Sequence, residues 1–123
     1  MLQEMQIVSN NIVEYILKAT DEEFVNFSVG ALAHSLQIDR CKLSRQFKRQ
    51  TNMTLEHFLY KEKMDRAAFL LKAYQDITIK QIAERIGFCS SDYFIQKFKE
   101  YYGVVPGKYR KLKTTHSVDS YNN

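Results

Sequence analysis

Apolar residues recur at three- and four-residue steps along most of the chain, and no segment alternates apolar with polar as a half-buried strand does. Residues 6–19 read as a helix, with Ile7, Ile12, Ile16 and Leu17 at mixed helical steps and Val8, Val13 and Tyr15 beside them. Asp21-Glu22-Glu23 marks a break. Ser28 caps a helix over about 29–36 that turns Val29, Leu32, Ala33 and Leu36 inward. Asp39 caps the next, over about 40–51, with Leu43 and Phe47 one turn apart on its buried face and Asn52 as a left-handed stop. Thr54 caps a long helix to about Tyr74, whose apolar stripe is Leu55, Phe58, Leu59, Met64, Ala67, Ala68, Leu71 and Tyr74. Thr78-x-x-Gln81 is a capping box opening a helix that buries Ile79, Ile82, Ala83 and Ile86 and stops at Gly87. A helix over about 91–102 follows, with Phe94 and Phe98 inward, and Pro106 suits the first turn of a short helix over 106–112. From Thr114 the periodicity ends, as in a frayed tail. The pattern predicts an all-α protein of about seven helices.

Two stretches of this pattern are the same stretch repeated. Ser28-Val29-x-x-Leu32-Ala33-x-x-Leu36-x-Ile38 aligns with Thr78-Ile79-x-x-Ile82-Ala83-x-x-Ile86-x-Phe88 at an offset of 50. After one inserted residue the offset becomes 51, and Leu43, Phe47, Lys48 and Asn52 match Phe94, Phe98, Lys99 and Gly103, with Phe58 matching Tyr109. Each copy is a short helix, a tight turn and a second helix that is basic outside and apolar inside. Gly87 suits a turn that needs positive φ; Gln37 holds the same place in the first copy, at a cost of about 0.5–1 kcal/mol if the geometry is shared. This is the layout of the helix-turn-helix motif, whose second helix enters the DNA major groove. The expected organisation is an N-terminal helix and acidic linker over 1–27, a first helix-turn-helix over 28–53, a bridging helix over 54–75, a second helix-turn-helix with a short C-terminal helix over 76–112, and a flexible tail over 113–123.

Charge sharpens that reading. Segments 39–51 and 97–113 hold eleven basic against two acidic residues, a net +9, while the rest holds seven basic against twelve acidic, a net −5, for a total of +4. Basic charge gathered on the second helix of each repeat is the footprint of a polyanion binder; two solvated helix faces are the alternative. Composition removes other classes. With 45% apolar residues, global disorder is excluded, and no run approaches the ~18 apolar residues of a spanning helix. MLQEMQIVSNN has neither the basic n-region nor the apolar run of a secretory signal. Cys41 and Cys89, 48 residues apart, form neither a disulfide framework nor a zinc motif, which fits a reducing cytoplasm. His34, His57 and His116 have no ligand-spaced carboxylate or cysteine, and no phosphate-loop, H-E-x-x-H or G-x-S-x-G motif occurs, so neither an enzyme nor a cofactor is expected.

The run Ile79-x-x-Ile82-Ala83-x-x-Ile86-Gly87-Phe88-x-x-x-x-Tyr93-Phe94-x-x-x-Phe98-Lys99-x-x-Tyr102-Gly103-x-x-Pro106-x-x-Tyr109-Arg110 resembles the signature of the AraC/XylS family of bacterial transcription regulators, and Leu43-Ser44-Arg45-x-Phe47-Lys48 resembles the matching piece of the first motif. The resemblance covers about residues 9–111. It implies seven helices in two helix-turn-helix subdomains bridged by a long helix, and an activator of nearby promoters. Lys63 stands where the bridging helix often has Arg, and Ile95 and Gln96 where a small polar and a basic residue are common.

Arg45 is the first choice for base readout, because a guanidinium makes two hydrogen bonds to guanine O6 and N7, worth about 1–3 kcal/mol of discrimination; a phosphate clamp or a salt bridge is the alternative. Arg40, Cys41 and Ser44 share its outward face and match base-facing family positions, although Cys41 also reads as an ordinary thiol. In the second motif Ser91, Asp92, Ile95 and Gln96 match the reading positions. Gln96 suits adenine N6/N7, Ile95 a thymine methyl, and Asp92 cytosine N4 or the exclusion of phosphates. Lys48 and Lys99, equivalent in the repeat, suit phosphates, and Lys42, Arg49, Lys97, Lys108 and Arg110 are backbone contacts or solvated charge. Free amides at the helix starts near Ser28 and Thr78 also suit phosphates.

The leading expectation is sequence-specific binding of double-stranded promoter DNA, with the two reading helices in successive major-groove segments about 34 Å apart. The competing one is a helical adaptor that binds RNA polymerase or another regulator without reading sequence. A sensor domain is missing if the chain is the C-terminal piece of a larger regulator.

Overall fold

A computed structural model describes residues 12–112; the expected start of the first helix and the expected tail over 113–123 lie outside the described residues. Eight helices are found among them, and no strand: α1 (12–18), α2 (Asp21–Phe24), α3 (Val29–Leu36), α4 (Arg40–Thr51), α5 (Leu55–Ala73), α6 (Ile79–Ile86), α7 (Ser91–Tyr102) and α8 (Pro106–Lys111). None is long and apolar enough to cross a membrane. The chain divides into two compact units, one up to Lys63 and one from Met64, so α5 contributes to both.

The first unit is built around Ile12, Ile16, Phe24, Val29, Leu32, Ala33, Leu43, Phe47 and Leu55, with Phe27, Ile38, Phe58 and Leu59 packed at its margin. The second buries Met64, Ala67, Ala68, Leu70 and Leu71 from α5, Ile82, Ala83 and Ile86 from α6, and Phe88, Phe94 and Phe98 in and before α7. Phe88, Phe94 and Phe98 pack in sequence, tilted and then edge-on, 4.8 and 5.6 Å between ring centroids, and Tyr109 of α8 meets Phe98 edge-on at 5.2 Å. Side chains carry the repeat into the helix starts. The oxygens of Ser28, Asp39, Thr78 and Ser90 each accept the backbone N–H three residues on, at 3.0, 3.0, 3.0 and 3.1 Å. The stops repeat as well: Gln37, Asn52, Gly87 and Gly103 all have positive φ, at 54°, 64°, 95° and 85°.

Five expectations change. Asp21-Glu22-Glu23 is no break: Thr20 and Glu23 form a reciprocal capping box that winds these residues into α2 and delivers Phe24 to the core, making eight helices in place of seven. Leu36 is 42% exposed, because it stands on the last turn of α3 and lines an open groove with Ile12, Tyr15, Leu32 and Ser35. Tyr74 lies past the end of α5 and is exposed, and Ile79, in the first turn of α6, is only half-buried. Finally, α5 carries two apolar sets in place of one stripe: the five-residue step from Leu59 to Met64 breaks the helical period, and the second set includes Leu70, which the stripe omitted.

Candidate nucleic-acid interface

In each unit a short helix and a longer one are joined by a turn that needs a left-handed residue. Ile38 N–H bonds Ala33 O at 3.0 Å and Gln37 N–H bonds His34 O at 3.1 Å; Phe88 to Ala83 (2.8 Å) and Gly87 to Glu84 (3.2 Å) repeat the pattern. This closes the last turn of the first helix and aims the second.

On α4, Leu43, Gln46 and Phe47 are buried, and Gln46 Oε1 has no hydrogen-bond partner there. The 3.6-residue period then puts Cys41, Arg45 and Lys48 at the centre of the opposite, exposed face. Ser44, half-buried, and Arg49, exposed, flank them, and Arg40 and Lys42 lie at its edges, exposed. The Arg40 guanidinium leans back over α3: a Cβ on Gly30 would stand 3.7 Å from its Nη1. Cys41 and Cys89 are free and exposed.

On α7, Phe94 and Phe98 are buried, and the exposed face carries Asp92, Gln96, Lys99 and Glu100. Ser91 and Ile95 are half-buried on its flank. Gln96 Nε2 donates to Glu100 Oε2 at 3.4 Å, and Lys97 Nζ bonds Glu100 Oε1 at 3.3 Å while standing 5.6 Å over the Tyr93 ring. Lys97 thus meets a carboxylate and a ring of its own helix. Glu100 was missed, although its spacing of four from Gln96 and three from Lys97 is the helical-neighbour signal that finds it.

Arg110 is likewise engaged within the fold. Its Nε donates to Leu71 O at 3.0 Å and its Nη2 to Tyr74 O at 2.9 Å, so the guanidinium satisfies carbonyls at the C-terminal end of α5 and just past it. Lys72 Nζ returns a bond to Leu112 O and lies 5.0 Å over the Tyr109 ring. The far end of α7 is fixed similarly: the Tyr102 hydroxyl donates to Asp65 Oδ1 at 3.1 Å. Burial, and then the charge of Asp65, push the hydroxyls of Tyr102 and Tyr109 above their ordinary value near 10. Lys108 remains exposed on α8. At the helix starts, the Ala31 and Gln81 amides are taken by the Ser28 and Thr78 hydroxyls, so those two are not free for an anion.

A family model described as a helix-turn-helix domain matches residues 32–112. The chain is similar to the xylose operon regulatory protein of Haemophilus influenzae, 35% identical over 82 residues that cover 67% of this chain and 21% of that protein. The transcriptional activator PerA of Escherichia coli is 31% identical over 102 residues, 82% of this chain and 36% of its own. The C-terminal domain of AraT, a response regulator from Geobacillus stearothermophilus, shares the fold with a TM-score of 0.75 at 30% identity, over 86% of this chain and 85% of that domain. The chain spans between about a fifth and two fifths of the length of these curated relatives.

Proposed function

The chain belongs to the AraC/XylS family of helix-turn-helix regulators, and from that premise we propose that it binds double-stranded promoter DNA by sequence, through α4 and α7, as part of a regulator of the activator kind. The observation that carries this reading is the pair of equivalent helices, α4 and α7, each entered through a left-handed turn and each exposing a polar face opposite a buried aromatic one, strongly basic on α4 and charge-balanced on α7. In this reading Arg45 takes a guanine, with Arg40, Cys41 and Ser44 beside it. Gln96 takes an adenine on α7, flanked by Ser91, Asp92 and Ile95. Lys42, Lys48, Arg49, Lys99 and Lys108 hold phosphates, which fix register without reading sequence. Two reading helices in one chain match two successive major-groove segments.

A titration of labelled promoter DNA against random duplex, repeated across salt concentrations, tests this. With five or six phosphates neutralised, the log–log slope of affinity on salt is about −4.5 to −5.5, and the selected site binds tighter than random DNA at every salt. Equal binding to both sequences leaves only an adaptor role; a slope near zero removes the electrostatic argument.

A further inference from the structure

We propose that Glu100 is a specificity-determining residue that orients the Gln96 amide for adenine and against guanine; this rests on the reading of Gln96 as a base-contacting residue. An ionised carboxylate only accepts hydrogen bonds. Of the two ends of the Gln96 side chain, the NH2 group therefore turns toward Glu100 Oε2, 3.4 Å away. One N–H is spent there, leaving one N–H and the carbonyl oxygen to meet a base. That pair complements adenine, which offers the N7 acceptor and the N6 donor in the major groove. Guanine offers two acceptors, O6 and N7, so one of them meets the amide oxygen with no proton between them. A free amide escapes this conflict by giving both hydrogens to guanine; the bond to Glu100, which holds one of them, opposes this.

The neighbouring contacts make a carboxylate tolerable on a face that meets a polyanion. Lys97 Nζ, 3.3 Å from Glu100 Oε1, offsets its charge, and the Tyr93 ring, 5.6 Å below, holds that ammonium in place. The i, i+3 and i, i+4 spacings keep all four side chains in reach along one helix. The corresponding position in the first motif, 51 residues earlier, is Arg49, so the device belongs to the second reading helix alone.

The test uses the full chain and a pool of random duplex DNA with fixed ends. Sites are selected with the unaltered protein, and affinities are then measured by fluorescence anisotropy on labelled duplexes that differ at one base pair. Preference for adenine over guanine at the Gln96 position is expected to be about 5- to 150-fold. Gln96→Ala flattens that position. Glu100→Gln, which presents either an acceptor or a donor, and Glu100→Ala are each expected to bring the preference at the same position toward one, while binding to random duplex holds or tightens. Neither change is expected to lower the melting temperature. If Gln96→Ala flattens the position but both Glu100 variants keep the full preference, the proposal fails and the reading of Gln96 survives. If Gln96→Ala flattens no position, both fail together. Loss of preference at several positions with a lowered melting temperature assigns Glu100 a structural role and also overturns the proposal.

Discussion

Replacing Gln37 with glycine should stabilise the first unit, against the usual expectation for removing a side chain. Gln37 has φ 54° and ψ 46°, the left-handed region, where a residue with a Cβ is strained by roughly 1–2 kcal/mol. Its side chain is exposed and has no hydrogen bond among the described residues, so truncation loses little; the turn is closed by backbone bonds to Ala33 and His34 that glycine makes equally well. Against the relief stands the greater freedom that glycine gives the unfolded chain, about 0.5–1 kcal/mol. The net gain is about 0.5–1 kcal/mol, or roughly 2–8 °C in melting temperature for a unit of this size. Urea unfolding followed by circular dichroism measures it as a raised midpoint at unchanged slope. Gly87→Ala provides the opposite sign, since the same turn there has φ 95°. Asn52→Gly should change stability less, because asparagine visits this region more readily. An unmoved or lowered midpoint for Gln37→Gly, with Gly87→Ala destabilising as expected, would refute the claim that the first turn is strained.

Arg45→Ala should weaken the preferred site by about 1–3 kcal/mol and relax one position, whereas Lys48→Ala should weaken preferred and random DNA alike and make the salt slope shallower by about 1; a uniform loss for Arg45→Ala makes it a backbone contact. Leu43→Ala and Phe94→Ala, both fully buried, should each cost about 2–5 kcal/mol in chemical denaturation, and near-native midpoints would show the wrong faces buried. The raised hydroxyls of Tyr102 and Tyr109 favour the protonated, folded form, so their contribution is fully present below about pH 10 and is lost as pH rises through the raised values. Melting curves from pH 8 to 12 should fall above 10, and less steeply in Tyr102→Phe; a fall of equal steepness would place the titrating group elsewhere.

The repeat was legible in the sequence because it is written in residue types with narrow uses: small polar caps at Ser28, Asp39 and Thr78, left-handed stops at Asn52 and Gly87, and aromatics one turn apart at Phe94 and Phe98. The same pattern pointed to the strained place of Gln37. Leu36 was misjudged because periodicity states which way a side chain points but not whether another element covers it. The α2 turn was missed because three acidic residues were read as polarity, although acidic residues suit the first turn of a helix and Thr20 with Glu23 supplies its cap. Among the site residues, charge separated the basic faces from the acidic remainder but not one cation from another. Arg110 and Lys97 carry the same charge as Lys48, and only their partners, two carbonyls in one case and a carboxylate with a ring in the other, set them apart.

The bonds from Arg110 to Leu71 O near the end of α5 and to Tyr74 O just past it set how this chain can change over generations. In the proposed reading, a drifting operator is followed by exchanging exposed side chains on α7, which hold no part of the core and are replaced at little cost to folding. Arg110 has no such liberty. Lysine there keeps the charge but lacks the planar fork whose two nitrogens reach Leu71 O and Tyr74 O separately, so even the mildest exchange alters both bonds. Mutational tolerance along α7 and α8 is therefore uneven, with positions open to new binding sites next to one that inheritance must hold fixed.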